Sequence, residues 1–179
     1  MTAPSRTLPG ARTGPLAAVQ GAALVFGDDV NTDLLHPSYF FSLDADTVRQ
    51  GFLGAVGGKD GRGDRSRVLL AGDNFGCGSS RETTMQSLRL AGVQALVARS
   101  FGRIFFRNAL CLGLMAFTAP DAPALAVEGE GVEVDPFGLV ARNLDTGREL
   151  ALTPLDPFWR QVLEAGGMMA WLERRGALS

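Results

Sequence analysis

Apolar residues along this chain gather in short dense runs parted by glycine-rich, charged or turn-forming stretches. Ala17–Phe26, Val68–Ala71, Gln94–Ala98 and Leu114–Thr118 are runs of strand length dominated by Ala, Val, Leu and Phe. Such runs, bounded by turn residues, predict buried strands. Between them lie three segments that read as helices, Asp44–Phe52, Thr83–Ala91 and Arg103–Cys111. Asp44 is placed to cap the first, and Gly92 to close the second. Strand–helix–strand–helix–strand alternation predicts an α/β unit with parallel pairing. After Pro123 the pattern changes. Gly131–Asp135, Leu139–Asn143 and Glu149–Leu152 are short strands parted by Pro136–Phe137–Gly138 and Asp145–Thr146–Gly147. Leu155–Ala165 and Met168–Arg174 close the chain as helices. No internal repeat or second domain interrupts this order.

Two stretches fall outside the packed pattern. Gly54–Arg65 is rich in glycine and charge and predicts a flexible loop. Met1–Ala18 carries Ser, Thr, Pro, Gly, Arg6 and Arg12 with no acidic residue, a composition that a transit peptide can share. Pro4, Pro9 and Pro15 interrupt any amphipathic helix there, so residues 1–18 are expected to form a disordered extension before one domain over 19–179. Composition then narrows the class. A chain of 179 residues, 46% hydrophobic and 20% charged, suits one soluble domain with a sizeable core. Its net charge of −2 argues against nucleic acid or an anionic membrane as partner. No apolar run approaches the roughly 20 residues of a membrane span. The two cysteines, Cys77 and Cys111, make no disulfide framework and fit a reducing cytoplasm.

The densest chemistry lies in Gly72–Asp73–Asn74–Phe75–Gly76–Cys77–Gly78–Ser79–Ser80–Arg81–Glu82. This stretch joins a buried strand to a helix through a glycine-rich turn. Gly76 and Gly78 let the backbone turn tightly and approach a ligand. Ser79 or Ser80 can cap the helix and point a hydroxyl into the same space. The helix N-terminus and Arg81 supply positive charge, so the turn can hold an anion, most simply a carboxylate. It lacks the third glycine of a dinucleotide fingerprint and the Gly-Lys-Ser/Thr ending of a P-loop. From the residues alone, structural capping and anion binding fit equally well.

Other polar positions weigh less by themselves. Asn31–Thr32–Asp33 reads as an Asx turn or a cap. His36 is the only histidine, so any Ser-His-Asp hydrolase must use it. Its setting, Leu34–Leu35–His36–Pro37, instead predicts a partly buried structural histidine. Cys77 sits where a helix N-terminus lowers a thiol pKa, but it also fits as a small packing residue.

As whole strings, three blocks resemble the small subunit of the isopropylmalate dehydratase and homoaconitase family, the swivel domain of aconitase-like hydro-lyases. They are Phe26–Asp33 with Leu34–Pro37, Gly72–Glu82, and Ala98–Asn108 running on to Gly113–Leu114. Val162–Gly167 is a weaker echo. The resemblance spans roughly residues 20 to 175. It implies a swivelling β/β/α domain of the α/β class and a site made of named residues. Ser79 would be the base that removes a proton beside a substrate carboxylate. Ser80 and Arg81 would hold carboxylate oxygens, Asp33 would lie in the active site, and Thr32 would be its neighbour. The sequence departs from the family at His36, where an aliphatic residue is usual, and at Thr83, where His or Gln is usual.

The resemblance also implies a 4Fe–4S cluster and a small 2-hydroxy dicarboxylic acid substrate. A cluster wants three or four thiolates, and this chain has two distant cysteines, so the cluster is expected on a large partner subunit and the chain alone is expected to be inactive. The segment Ser38–Tyr39–Phe40–Phe41–Ser42–Leu43 would line the pocket for the substrate's variable arm. It has no Lys or Arg. An apolar arm would suit Phe40 and Phe41, whereas a third carboxylate would want a cation, for which Arg49 is the next in sequence. The expected reaction is isomerisation of 2-isopropylmalate to 3-isopropylmalate in leucine biosynthesis. Alternatives are homoaconitase, a hydratase of maleate, citraconate or a dimethylmalate, and, from another class, a non-catalytic anion-binding module.

Overall fold

A computed structural model describes residues 16–55, 67–79 and 81–176. Among them seven strands form one sheet in the order β4-β3-β2-β1-β5-β6-β7. β1 (Val19–Val25), β2 (Arg67–Ala71), β3 (Val93–Ala98) and β4 (Met115–Thr118) pair in parallel. Leu24 stands beside Leu69, Leu69 beside Leu96, and Leu96 beside Ala116. Every residue of β2 is buried, which is why it reads as an unbroken apolar run rather than an alternating one. α2 (Ala45–Ala55), α3 (Glu82–Leu90) and α4 (Arg103–Cys111) lie between these strands in the chain.

The other half of the sheet is antiparallel. β5 (Gly131–Asp135) pairs with β1, and β6 (Val140–Asn143) and β7 (Glu149–Ala151) follow as a meander. The short β5–β6 and β6–β7 connections leave no room for the crossover that parallel pairing needs. Burial alternates residue by residue along β5 and β6, as expected of strands with one covered face. α5 (Pro157–Ala165) starts with the Asp156 carboxylate accepting from the Phe158 amide at 2.8 Å. It stops at Gly166, left-handed at φ 98°, and α6 (Met168–Arg174) follows.

Helix ends follow the local chemistry with three departures. Asp44 caps α2, accepting from the Thr47 amide at 2.8 Å, and α2 runs on through Gly54, so that part of the expected flexible loop is helical. Residues 56–66 of that loop lie outside the described residues. Ser79 is not the N-cap of α3: that residue is Arg81, extended at φ −105° and ψ 153°, and its own side chain makes no cap bond. Ser79 therefore stands outside the helix. Asn31–Thr32–Asp33 is more than a turn, since Thr32–Leu35 forms the one-turn helix α1, capped by Asn31 Oδ1 accepting from the Leu34 amide at 2.9 Å. α2 docks on α3, where the Phe52 amide donates to the buried Ser87 hydroxyl at 2.9 Å. Residues 1–15 are outside the described residues, whereas Leu16, within the expected extension, is buried in the core.

Candidate active site

Beyond the C-terminal ends of β1, β2 and β3 the chain continues as three loops laid side by side. The Gly72 amide donates to the Gly27 carbonyl at 3.2 Å, Asp29 to Asp73 at 2.8 Å, Gly76 to Val30 at 2.7 Å and Thr32 to Cys77 at 3.1 Å. On the other flank Phe75 donates to Ser100 at 3.0 Å and Gly102 to Phe75 at 2.9 Å. The three sequence blocks are thereby one structural unit at the carboxyl edge of a parallel sheet, where α/β folds place their ligands.

Two features make this close approach possible. Gly76 is left-handed at φ 74° and lies so near the Phe105 ring that a Cβ would overlap it. At Gly102 a Cβ would stand 2.7 Å from the Gly76 carbonyl oxygen. Below the loop the Phe75 ring meets Phe105 edge-on at 5.4 Å and Phe26 at 5.6 Å. An exposed polar brace ties the loops from outside. Arg99 pairs with Asp73 at 2.7 Å and Asp28 at 3.4 Å, and the Ser100 hydroxyl donates to Asp73 at 3.2 Å. The Arg99 hydrogen bond is the main reason the Asp73 carboxyl is held below the usual carboxylate range.

Several expected site residues stand on this unit. Ser79 is exposed, and its carbonyl oxygen is 3.5 Å from the Thr32 hydroxyl, which points to it as donor. Thr32 itself is buried, and Asp33, next in α1, is exposed. Arg81 is exposed with its guanidinium carbon 4.6 Å from the centroid of the half-buried Phe41 ring. Phe41 therefore carries a cation on its ring and is not simply an apolar wall. Phe40 packs on the exposed Tyr39 ring, centroids 4.5 Å apart. Ser80 lies outside the described residues. Arg81, the N-cap residue of α3, makes no side-chain cap bond, so the helix start can present amides and partial positive charge at the Arg81 end of the loop.

An open depression of about 390 Å³ adjoins the loop, lined by Asn74, Cys77, Gly78, Gly102, Arg103, Ile104 and Arg107. Sequence reasoning assigned no role to Arg103 or Arg107, although both belong to the third block. The Cys77 thiol faces the Asp29 carbonyl at 3.6 Å and is half-buried, in keeping with a packing role. His36 is more than partly buried: it is fully enclosed, and burial lowers its pKa. Among the described residues no three His, Cys, Asp or Glu side chains converge as a metal site. Cys111 ends α4, and burial pushes its thiol pKa up. The donors of these residues therefore do not fit an iron–sulfur cluster. No helix of the described residues is long and apolar enough to cross a membrane.

Comparison with known proteins accords with this geometry. The Aconitase C-terminal domain family matches residues 60–122. The 3-isopropylmalate dehydratase small subunit 1 of Methanopyrus kandleri is 41% identical over 163 residues, covering 88% of this chain and 94% of its own. The 3-isopropylmalate dehydratase small subunit of Pyrobaculum calidifontis is 39% identical, with 88% and 98% covered. The crystal structure of 3-isopropylmalate dehydratase from Methanocaldococcus jannaschii superposes with a TM-score of 0.81 at 29% identity, covering 90% of this chain and 96% of that one. With sequence relatives matched along nearly their whole length and the same swivel fold, the chain belongs to the family of 3-isopropylmalate dehydratase small subunits.

Proposed function

We propose that this chain is the small subunit of a heteromeric hydro-lyase that isomerises 2-isopropylmalate to 3-isopropylmalate by dehydration and rehydration, in leucine biosynthesis in the cytoplasm. The observation that carries this reading is the joining of the Thr32–Asp33 and Gly76–Ser79 loops by backbone bonds, with Asp33, Ser79 and Arg81 all exposed on the resulting edge. Family membership supports the reaction class.

The chemistry this chain would supply is proton handling and anion binding. A serine hydroxyl serves as a base only where oriented donors stabilise its alkoxide and water is excluded. In this reading Arg81 and the start of α3 hold one substrate carboxylate, with Ser80 contributing a hydroxyl, and Ser79 Oγ takes the proton from the carbon beside it. Asp33 follows Thr32, whose hydroxyl reaches the Ser79 carbonyl, and in this reading its exposed carboxylate serves the same reacting region. Ser79 is exposed, so the partner surface must complete the water-poor enclosure. Departure of the substrate hydroxyl needs an acid that these residues do not provide. The large subunit supplies it in this proposal, from its 4Fe–4S cluster.

The substrate's variable arm is read from Ser38–Leu43, where Phe40 and Phe41 offer apolar surface and the Arg81 guanidinium over Phe41 is already engaged by the first carboxylate. Burying an unpaired carboxylate there costs enough to give a preference of about a hundredfold or more for an apolar arm. The test is kcat/KM for isopropylmalate, methylmalate, malate and homocitrate on the assembled enzyme, beside the small subunit alone. Turnover only in the complex, with isopropylmalate preferred, is the expected result. Comparable turnover of homocitrate defeats the apolar-arm reading, and malate clearly ahead of isopropylmalate makes the enzyme a hydratase of smaller acids.

A further inference from the structure

His36 is 0% exposed, and its ring nitrogens make no well-formed hydrogen bond among the described residues, although the Phe40 backbone lies near enough to favour its proton. A polar ring enclosed with so little hydrogen bonding is unfavourable by itself, so its surroundings are informative. Gly51 of α2 leaves the space for it, since a Cβ there would overlap the imidazole. The imidazole lies against the Phe41 ring, centroids 5.1 Å apart and planes tilted by 45°. Arg81 in turn lies over Phe41, 4.6 Å from the centroid. His36, Phe41 and Arg81 form one stack from the core to the exposed edge of the site.

Resting on the reading that Arg81 holds a substrate carboxylate, we infer that His36 is a positioning residue whose neutral imidazole supports Phe41 as the shelf that aims the Arg81 guanidinium. A free arginine samples many rotamers, and a ring beneath it narrows them before substrate arrives. A shelf resting on histidine works only while the imidazole is neutral. The charged and titratable groups on the surrounding elements are Asp33 on α1, Tyr39 and Asp44 in the next segment, Asp46 and Arg49 on α2, and Arg81 and Glu82 at the start of α3. None makes a hydrogen bond to either His36 nitrogen. Burial, opposed by the Phe40 backbone, lowers the His36 pKa. Acidification therefore displaces His36 and Phe41 together and weakens the grip on substrate, while the Ser79 chemistry is untouched.

Steady-state kinetics on the assembled two-subunit enzyme, with 3-isopropylmalate as substrate, test this. Phe41→Ala and His36→Ala should each raise KM about five- to tenfold, with kcat changed by less than about threefold. The double variant should be no worse than Phe41→Ala alone, because both act through one ring. His36→Leu fills the seat without a titratable group. The acid-side rise in KM of the native enzyme, which sets in below about pH 6.5 because burial lowers the His36 pKa, should be absent from this variant. Arg81→Lys is the control. If it leaves KM unaltered, the carboxylate is held elsewhere and the underlying site reading fails. If it raises KM while Phe41→Ala does not, or if the His36 and Phe41 effects are additive, this inference alone is overturned. A parallel acid-side rise in the native and His36→Leu enzymes also overturns it. Should His36→Ala fail to fold, Phe41→Ala and the His36→Leu pH profile decide the matter.

Discussion

The Thr32 amide donates to the Cys77 carbonyl at 3.1 Å, and this bond joins the loop that carries Asp33 to the loop that carries Ser79. It is a backbone bond, so side-chain changes at either residue leave it possible. Its geometry depends on what holds the two loops, namely the start of α1 on one side and the glycine turn on the other.

On the first side, Asn31→Ala removes the Oδ1 that accepts from the Leu34 amide at 2.9 Å. Loss of such a cap costs about 1 kcal/mol. Urea unfolding of the isolated subunit should show that loss, with Asn31→Asp restoring most of it. Equal stability of the Ala variant and the native chain would mean that α1 is held by its tertiary contacts alone.

On the other side, Gly76→Ala should be severe. It combines a left-handed φ of 74° with overlap of the Phe105 ring, two effects of roughly 1–3 kcal/mol each. Gly102→Ala should follow it, because its methyl would press on the Gly76 carbonyl. Gly27→Ala is the contrast, with no atom within 4 Å of its would-be Cβ, and should stay within about 0.5 kcal/mol of native. Thermal melts of the three variants rank them directly. A Gly76→Ala protein as stable as Gly27→Ala would show that the loop is not tightly packed on α4.

The buried imidazole makes stability depend on pH in a known sense. Burial lowers the His36 pKa in the folded state, so the unfolded chain binds the proton more readily. Stability is then whole above the unfolded value of about 6.5 and falls as the pH drops from there toward the lowered native pKa. Unfolding midpoints across about pH 5 to 8 should show this slope, and His36→Leu should flatten it. An unchanged slope in the Leu variant would assign the acid sensitivity to other groups.

Much of this arrangement was legible before the structure. β2 and β3 are buried along nearly all their length, and continuous burial writes a continuous apolar run. The antiparallel placement of β5 beside β1 was not legible, because nothing local to Gly131–Asp135 names its partner. The helix start at Arg81 escaped notice since Ser79 and Ser80 are both good capping types, and only the extended backbone at Arg81 excludes that role for Ser79. α1 was hidden by its four-residue length, and a cap signal alone does not distinguish a turn from a short helix. Phe41 was expected to line the substrate pocket, but the arginine on its ring stands forty positions away and was not foreseen. His36 was recognised as structural, while its full enclosure against Gly51 depends on how α2 docks.

Ser79→Ala in the reconstituted two-subunit enzyme tests the central claim most directly. A group that acts in the transition state lowers kcat far more than it weakens substrate binding. Turnover should fall by about three powers of ten, with subunit assembly intact and KM changed by less than about tenfold. Near-native turnover in this variant would contradict the account and remove Ser79 from the chemistry.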